Sequence, residues 1–340
     1  MSVGPSATSD PLILASTPAD SLHVIVNPAS GAGRGRKRWP KIADSLGKHG
    51  FNYEVVFTSG PDDASRIARD MASGGAHTIV AVGGDGTVNE IINGLLHNDV
   101  PVNDKTRLVV IPCGTGKDLG RTLGTGSPEA AASALRANST MLMDIGRIRF
   151  QAMDGHTETR YFANVADLGL GAEVAARINH SSKALGGLVT YLVAAVRTII
   201  DFQPREITVD IGDNRVFHAP ANMVVLANGQ FFAGGMRVAP TASICDGLLE
   251  MYILADVGKR ALLTSLLPRV YRGKHVGQHG VLHIRAGAAT ILCPAGMLME
   301  MDGEQIGRSP IQVDVLPRVL PVIGDPDTPR NAGGCADGAI

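Results

Sequence analysis

The sequence predicts an α/β fold in two parts: an N-terminal parallel-sheet domain and, after it, a mainly antiparallel β domain. Three observations carry this reading. Up to Asp144, short β-branched runs alternate with amphipathic segments. Each of those early runs ends in a loop containing glycine. Beyond Asp144 the runs alternate only partially and are divided by Gly, Asn, Asp and Pro.

In chain order, the first strands are expected at His23–Val26, Tyr53–Phe57, Thr78–Val82 and Leu108–Ile111. Helices are expected between them at Trp39–Leu46, Ala64–Met71 and Val88–Leu96, with Glu129–Leu135 after the last strand. Continuously apolar strands separated by helices describe a parallel sheet covered on both faces. Ligands of such sheets bind in the loops at the carboxyl ends of the strands. In the second part, Tyr161–Val165, Ile207–Ile211, Met223–Ala227, Leu248–Leu254 and Leu282–Arg285 read as antiparallel strands. Leu188–Ile200 and Lys259–Val270 read as helices that interrupt them. No internal repeat is visible. The expected division is a loose tail over 1–21, a first domain over 22–143, a second over 144–323 and a disordered tail over 324–340.

Bulk properties exclude several classes. The 31 basic and 32 acidic residues leave a formal net charge of -1, so no global field draws the chain to nucleic acid. The four cysteines form no C-x-x-C pair, which predicts neither a disulfide framework nor a zinc site and suggests a reducing compartment. Met1 to Ser21 is rich in Ser, Pro, Thr and Ala and lacks the pattern of a signal peptide. The longest apolar run, Ala184–Val196, ends at Arg197, short of the ~20 residues that a bilayer span needs. A soluble, cytoplasmic protein is expected.

Three loops suit phosphate. They are Asn27-Pro28-Ala29-Ser30-Gly31-Ala32-Gly33, then Gly83-Gly84-Asp85-Gly86-Thr87, then Gly114-Thr115-Gly116-Lys117-Asp118. Glycine lets backbone N–H groups approach an anion, and a following helix N-terminus adds positive dipole. None is a P-loop: Asp118 follows Lys117 where Ser or Thr is needed. None is a dinucleotide fingerprint either, since Leu119 and Arg36 stand where its last glycine belongs. Singly, each loop reads first as turn chemistry. Asp85 stands apart, because a carboxylate beside a phosphate-sized nest makes sense only with a cation or a developing charge between them.

Together the motifs Asn27-Pro-Ala-Ser30-Gly31, Gly83-Gly-Asp85-Gly-Thr87-Val88-Asn89 and Gly114-Thr115-Gly-Lys-Asp118 resemble the diacylglycerol kinase catalytic domain family. That family includes bacterial lipid kinases and the sphingosine and ceramide kinases. Asp144-Ile-Gly146, Asn164-Val-Ala-Asp167, Asp246-Gly-Leu248 and Asp302-Gly303-Glu304 agree with the resemblance, which runs from about Leu22 to Ile323. It implies a phosphofructokinase- or NAD-kinase-like α/β domain followed by a β-sandwich-like domain, with ATP between them. It implies that Asn27, Pro28, Ala29, Ser30, Gly31, Thr58, Gly83, Gly84, Asp85, Gly86, Thr87, Val88, Asn89 and Thr115 bind the nucleotide, with Asp85 acting through Mg²⁺. It makes Glu304 the general base, and Asp118 and Asp144 an acidic support. Ser243, Asp246 and Leu248 match a structural Mg²⁺ loop, and Asp167 matches an acceptor contact of the sphingosine-type members.

Plainer readings stay open. Asp302-Gly303 and Asp246-Gly247 are also turn dipeptides, Asp144 can be a strand end, and Asp167 can cap a loop. Lys117 stands where the family commonly has Asn, and it could pair with phosphate or neutralise Asp118. On the lipid side, Leu188, Tyr191, Leu192, Ala195 and Ile199 repeat at helical spacing, which fits either a buried helix or a tail cleft. Leu262–His275 mixes leucines with Arg269, Arg272, Lys274 and His275 and could rest on anionic lipid heads. The resemblance implies ATP-dependent phosphorylation of a lipid hydroxyl, with diacylglycerol the first expected acceptor, by an enzyme peripherally associated with the membrane. A homodimer stays open. The alternatives are another lipid acceptor, an NAD kinase-type enzyme, or a catalytically silent lipid-binding protein.

Overall fold

Residues 22–26 begin an alternation of strands and helices in the computed structural model, which describes residues 21–114, 116–179, 187–255, 257–325 and 328. The order is β1 (Leu22–Val26), α1 (Ser30–Lys48), β2 (Tyr53–Phe57), α2 (Asp63–Ser73), β3 (Thr78–Gly83) and α3 (Asp85–Leu95). A small hairpin, β4 (Leu96–His97) and β5 (Val100–Pro101), leads to β6 (Arg107–Pro112), α4 (Asp118–Thr122) and α5 (Pro128–Ala137). Strands β2, β1, β3 and β6 lie side by side in that order, all parallel.

Why these strands are continuously apolar is visible in the packing. Val24, Val26, Val80, Val82, Val109 and Ile111 face one side, against Ile42 and Leu46 of α1 and Ala131 and Leu135 of α5. Their neighbours Ile25, Ile79, Ala81, Leu108 and Val110 face the other, against Ile67 of α2 and Val88, Ile91 and Ile92 of α3. With both faces of the central strands covered, polar side chains are confined to the strand starts (His23, Thr78, Arg107) and to the edge strand β2 (Glu54). Helix α5 starts where the Ser127 side chain accepts from the Ala130 N–H at 3.2 Å, with Pro128 in its first turn.

The second part contains β7 (Thr140–Ala152), β8 (Thr157–Phe162), β9 (Val165–Gly169), α6 (Leu170–Asn179), α7 (Gly187–Asp201), β10 (Arg205–Asp210), β11 (Val216–Ala227) and β12 (Leu249–Ala255). Next comes α8, three abutting turns at Lys259–Ala261, Leu262–Leu266 (π-helical) and Leu267–Val270. Strands β13 (Val281–Ala286), β14 (Ala288–Leu292), β15 (Leu298–Met301) and β16 (Glu304–Ile323) complete it. Antiparallel pairing runs β11–β10–β14–β16–β15–β9 and back to β11, closing a ring around one large core.

The expected cut between 143 and 144 falls inside β7. The last residues of β16 return to the first sheet, where Val322 pairs in parallel with Leu108 of β6. Pro310, Pro317 and Pro321 interrupt the pattern of this 20-residue strand, which is why it did not read as one element. The expected strand Tyr161–Val165 is broken between β8 and β9. Cys113 and Cys293 are free and buried. Among the described residues no helix is long and apolar enough to cross a membrane.

Candidate active site

Because β1, β2, β3 and β6 are parallel, their carboxyl ends bring the loops after them to one edge of the sheet. Asn27 ties two of these loops together. Its carboxamide oxygen accepts from the N–H groups of Ala29 (3.0 Å) and Ser30 (3.1 Å), turning the chain through Pro28. Its Nδ2 donates to Thr87 Oγ1 at 2.9 Å. Gly31, Ala32 and Gly33 then adopt left-handed conformations, with φ of 58°, 59° and 83°. A methyl group on Gly31 would lie 2.9 Å from the Gly114 Cα, and one on Gly114 would lie 3.2 Å from the Gly84 Cα. The three loops therefore meet glycine against glycine.

Gly84 itself faces open space: a methyl there would meet no protein atom within 4 Å. It precedes the first turn of α3, whose N–H groups and dipole favour an anion. Gly83 is packed against the Thr87 side chain, and Val88 is buried in the core below. Ser30 Oγ is buried without a hydrogen-bond partner, a rare state that a bound anion would relieve. Thr58, also buried, ends β2 beside the first loop, where its N–H donates to Val26 O at 2.9 Å. Thr115 lies outside the described residues.

Acidic groups crowd this nest. Asp85 is packed beneath the third loop, where a methyl on Gly116 would collide with its Oδ2, and its Oδ1 accepts from the Asp118 N–H at 3.2 Å. Burial, then the nearby charges of Asp118 and Asp302, push the Asp85 pKa up to about 8. Asp118 is 1% exposed and is paired with Arg121 at 2.5 Å, and it accepts from the Gly234 N–H at 2.8 Å. Its counter-charge is thus Arg121, one helical turn on, and not the adjacent Lys117.

Glu304 stands across the cleft. It follows the turn of Asp302 and Gly303, whose φ values of 46° and 95° suit a tight hairpin. Its Oε1 lies 2.7 Å from where a methyl on Gly86 would be. The cleft walls desolvate the carboxyl and raise its pKa, reinforced by Asp62 and opposed by Arg160. Asp302 turns inward as a pillar, accepting from Asn89 Nδ2 (2.8 Å) and from the Val165 N–H (3.0 Å). Burial raises its pKa to about 6. Asn89 spends its two amide hydrogens on Asp302 and on Tyr161 O, so its side chain locks α3 to the second part of the fold instead of presenting a donor to a nucleotide. Asp302 read in the sequence only as a turn, and the hydrophobic strand Leu298–Met301 running straight into it was the available signal that it is buried.

An anion nest bordered by under-compensated carboxylates fits a phosphate that arrives with a cation. Among the described residues no group of three or more His, Cys, Asp or Glu could hold a metal by itself. Asp85 nevertheless fits one held jointly with phosphate oxygens, since Mg²⁺ commonly takes one or two carboxylates and completes its shell with phosphate and water.

A second feature lies behind the cleft. Register places Tyr252, Val225, Asp167 and Glu300 in one row across β12, β11, β9 and β15. Tyr252 and Val225 border an apolar pocket of about 130 Å³, also walled by Leu170, Val174, Ala195, Ile199, Phe232 and Leu266. Asp167 accepts from the Ala172 N–H at 3.0 Å at the start of α6. Its other oxygen and Glu300 Oε1 are buried with no donor facing them, so the two carboxyls satisfy each other only by sharing a proton. Burial raises both pKa values. Glu300 on β15 and Asp302 in the turn that follows it carry this acidic row from the apolar pocket towards Asn89 of α3.

The remaining expected residues sit apart from the nest. Asp144 is fully buried, and its carboxylate accepts from the Gly247 and Arg318 N–H groups, each at 2.6 Å. It therefore braces the loop around Asp246 against β16 and does not join Asp85 and Asp118. In that loop Asp246 accepts from the Leu248 N–H at 3.1 Å and pairs with Arg285 at 2.5 Å, while Ser243 Oγ contacts Cys245 Sγ at 3.5 Å. Both Asp246 oxygens are engaged, one by the Leu248 N–H and one by Arg285.

Two family models divide the chain. Residues 21–148 match the diacylglycerol kinase catalytic domain, and residues 164–324 match the YegS C-terminal NAD kinase beta sandwich-like domain. A diacylglycerol kinase of Bacillus subtilis is 26% identical over 292 residues, covering 85% of this chain and 91% of that protein. One of Mycobacterium tuberculosis is 26% identical over 304 residues, covering 89% of this chain and 94% of that protein. A crystal structure of a diacylglycerol kinase from Bacillus anthracis has a TM-score of 0.65 at 21% identity, covering 90% of this chain and 97% of that one, which speaks for the fold alone.

Proposed function

The chain belongs to the diacylglycerol kinase catalytic domain family, with an NAD-kinase-like β-sandwich domain following, and from that premise we propose that it transfers the γ-phosphoryl group of ATP to a lipid hydroxyl, diacylglycerol first among the acceptors. The observation that carries the reading is the meeting of Gly31, Gly84 and Gly114 at the strand ends, with Glu304 facing Gly86 from the second part of the fold.

In this reading the glycine backbones, Ser30 Oγ and the first turn of α3 bind and orient the phosphates. Asp85 holds Mg²⁺, which when bound neutralises charge on the phosphate oxygens and favours the ionised form of that carboxyl. Glu304 takes the proton of the lipid hydroxyl as its oxygen bonds the γ-phosphorus. The bond from that phosphorus to the β–γ bridging oxygen breaks, releasing ADP. A raised pKa suits Glu304 to this work, because it makes the carboxylate a stronger proton acceptor. Positioning and electrostatics supply most of the rest.

The apolar pocket supports a lipid acceptor, since its walls offer nothing to the second nucleotide of NAD. The acidic row through Asp167 and Glu300 runs from the strands that wall that pocket towards Asp302, and in this reading Asp167 stands on the acceptor side. A structural cation at Asp246 would have to displace the Arg285 guanidinium. The test is transfer of label from γ-labelled ATP to diacylglycerol, monoacylglycerol, phosphatidylglycerol and a long-chain base in mixed micelles, with NAD alongside. Label entering a lipid is the expected result. Label entering NAD alone, or nothing, overturns the reading.

A further inference from the structure

We propose that the outer face of α7, together with the basic segment 259–274, docks this protein on an anionic bilayer surface, a step that rests on its being a lipid kinase. The inner faces of the same two elements wall the apolar pocket: Ala195 and Ile199 from α7, Leu262 and Leu266 from α8. The leucines expected to touch lipid heads are thus turned inward, and His275 is buried against Val238 O at 2.9 Å.

What faces outward is different. Val193, Val196 and Ile200 are 42%, 37% and 53% exposed. Their spacing of three and four residues puts them on one stripe. Single exposed apolar residues are ordinary on protein surfaces, but a stripe on one helix bordered by cations is the pattern of an interfacial helix. Arg197 is exposed on the same face. The stripe is continuous with α8, because the Lys259 ammonium donates to Ile200 O.

Charge selects the occupant. Arg260, Arg269, Arg272 and Lys274 are exposed, and from Val257 to Met299 the sequence contains no Asp or Glu. Among the described residues the nearby acids are engaged elsewhere: Asp201 with Arg177, and Asp246 and Glu250 with Arg285. In a chain whose formal net charge is only -1, this is a local cationic field. The exposed Tyr271 adds a ring of the kind enriched at membrane–water interfaces. An apolar stripe fringed by unneutralised cations fits anionic headgroups over acyl chains, and it brings the pocket beside the acceptor's own phase.

The experiment is co-sedimentation of the full chain with vesicles of phosphatidylglycerol and phosphatidylcholine, or of phosphatidylcholine alone, at low salt. Wild type should partition at least ~10-fold more strongly to the anionic vesicles. Arg260→Glu/Arg272→Glu/Lys274→Glu and, separately, Val196→Asp/Ile200→Asp should each lower that partition ~10-fold or more. Both variants should phosphorylate a short-chain diacylglycerol, dispersed as monomers, at the wild-type rate. Equal binding by wild type and variants, no preference of wild type for anionic vesicles, or loss of the monomer reaction in the variants overturns the proposal. Failure of the wild type to phosphorylate any lipid would instead overturn the kinase reading, while sedimentation would still report docking.

Discussion

Replacing Gly84 with alanine adds one methyl group at a place where the protein has nothing to oppose it. Its φ of -94° and ψ of -178° are ordinary extended backbone, so alanine brings no conformational strain. No protein atom lies within 4 Å of the new methyl. Stability should therefore stay within ~0.5 kcal/mol of wild type. The one thing the methyl can obstruct is a ligand on the floor of the nest. A phosphate oxygen accepting two backbone N–H groups would have to retreat by about a methyl radius. At ~1.5–3 kcal/mol for each charge-assisted bond lost, the cost is ~3–6 kcal/mol. That corresponds to a ~10²–10⁴-fold weaker affinity for Mg-ATP. Calorimetric titration with ATP, beside a thermal melt, reads the two effects separately. Gly94→Ala is the counter-control, because its methyl would collide with the Ser65 backbone and should lower the melting temperature instead. If Gly84→Ala binds ATP within threefold of wild type at an unchanged melting temperature, the loop is not a phosphate cradle.

Glu304→Gln should lower turnover ~10²–10⁴-fold and leave ATP affinity nearly unchanged; retained activity, or loss of ATP binding with it, moves the base role to Asp85. Gly86→Ala should cut turnover by ~10²-fold, because its methyl would sit 2.7 Å from Glu304 Oε1 and push that carboxyl aside; turnover equal to wild type refutes the placement. Without ligand, stability should fall as pH rises. The raised carboxyls keep protons in the fold that the unfolded chain has released, so their cost is absent below about pH 4 and grows towards about 6 for Asp302 and about 8 for Asp85. Each such group contributes up to ~1.4 kcal/mol per pH unit within its window. Urea denaturation across that range checks it, with Asp85→Asn removing the upper part of the slope; a flat profile contradicts the burial.

How far the sequence could be read depended on the range of the interactions involved. The N-terminal strands and helices were visible because the central strands β1, β3 and β6 pack on both faces, so their composition is decided locally by burial. The glycine loops were visible because close backbone approach admits almost no other residue. Asn89 shows the limit: the motif names it, but its acceptors, Asp302 and the Tyr161 carbonyl, lie 213 and 72 positions away. Asp144 likewise sits within a motif, and only the fold shows that its oxygens are spent on Gly247 and Arg318. Glu300 carries no sequence signal at all, since a glutamate among methionines on a short strand looks like an exposed edge until Asp167 is placed opposite.

Strand β16 explains how the two parts of the fold can share one reaction. Its first residue is Glu304, which faces the second glycine loop. Near its other end Val322 pairs with β6, the strand whose carboxyl end leads into the third glycine loop. Glu304 and the sheet that carries the glycine loops are thus joined by one hydrogen-bonded element, not by a free linker. Asn89 adds a second tie, from α3 to Asp302 immediately before the Gly303 turn. Relative movement of the parts must bend β16, and its pairing with β7 is interrupted at Arg308/Ile311 and Leu316/Leu320. At these breaks the ladder is locally disrupted and β16 bends and twists. Asp144 braces the second break through the Arg318 N–H and ties it to the Gly247 turn, so an acid that the motifs grouped with Asp118 serves to hold two loops together.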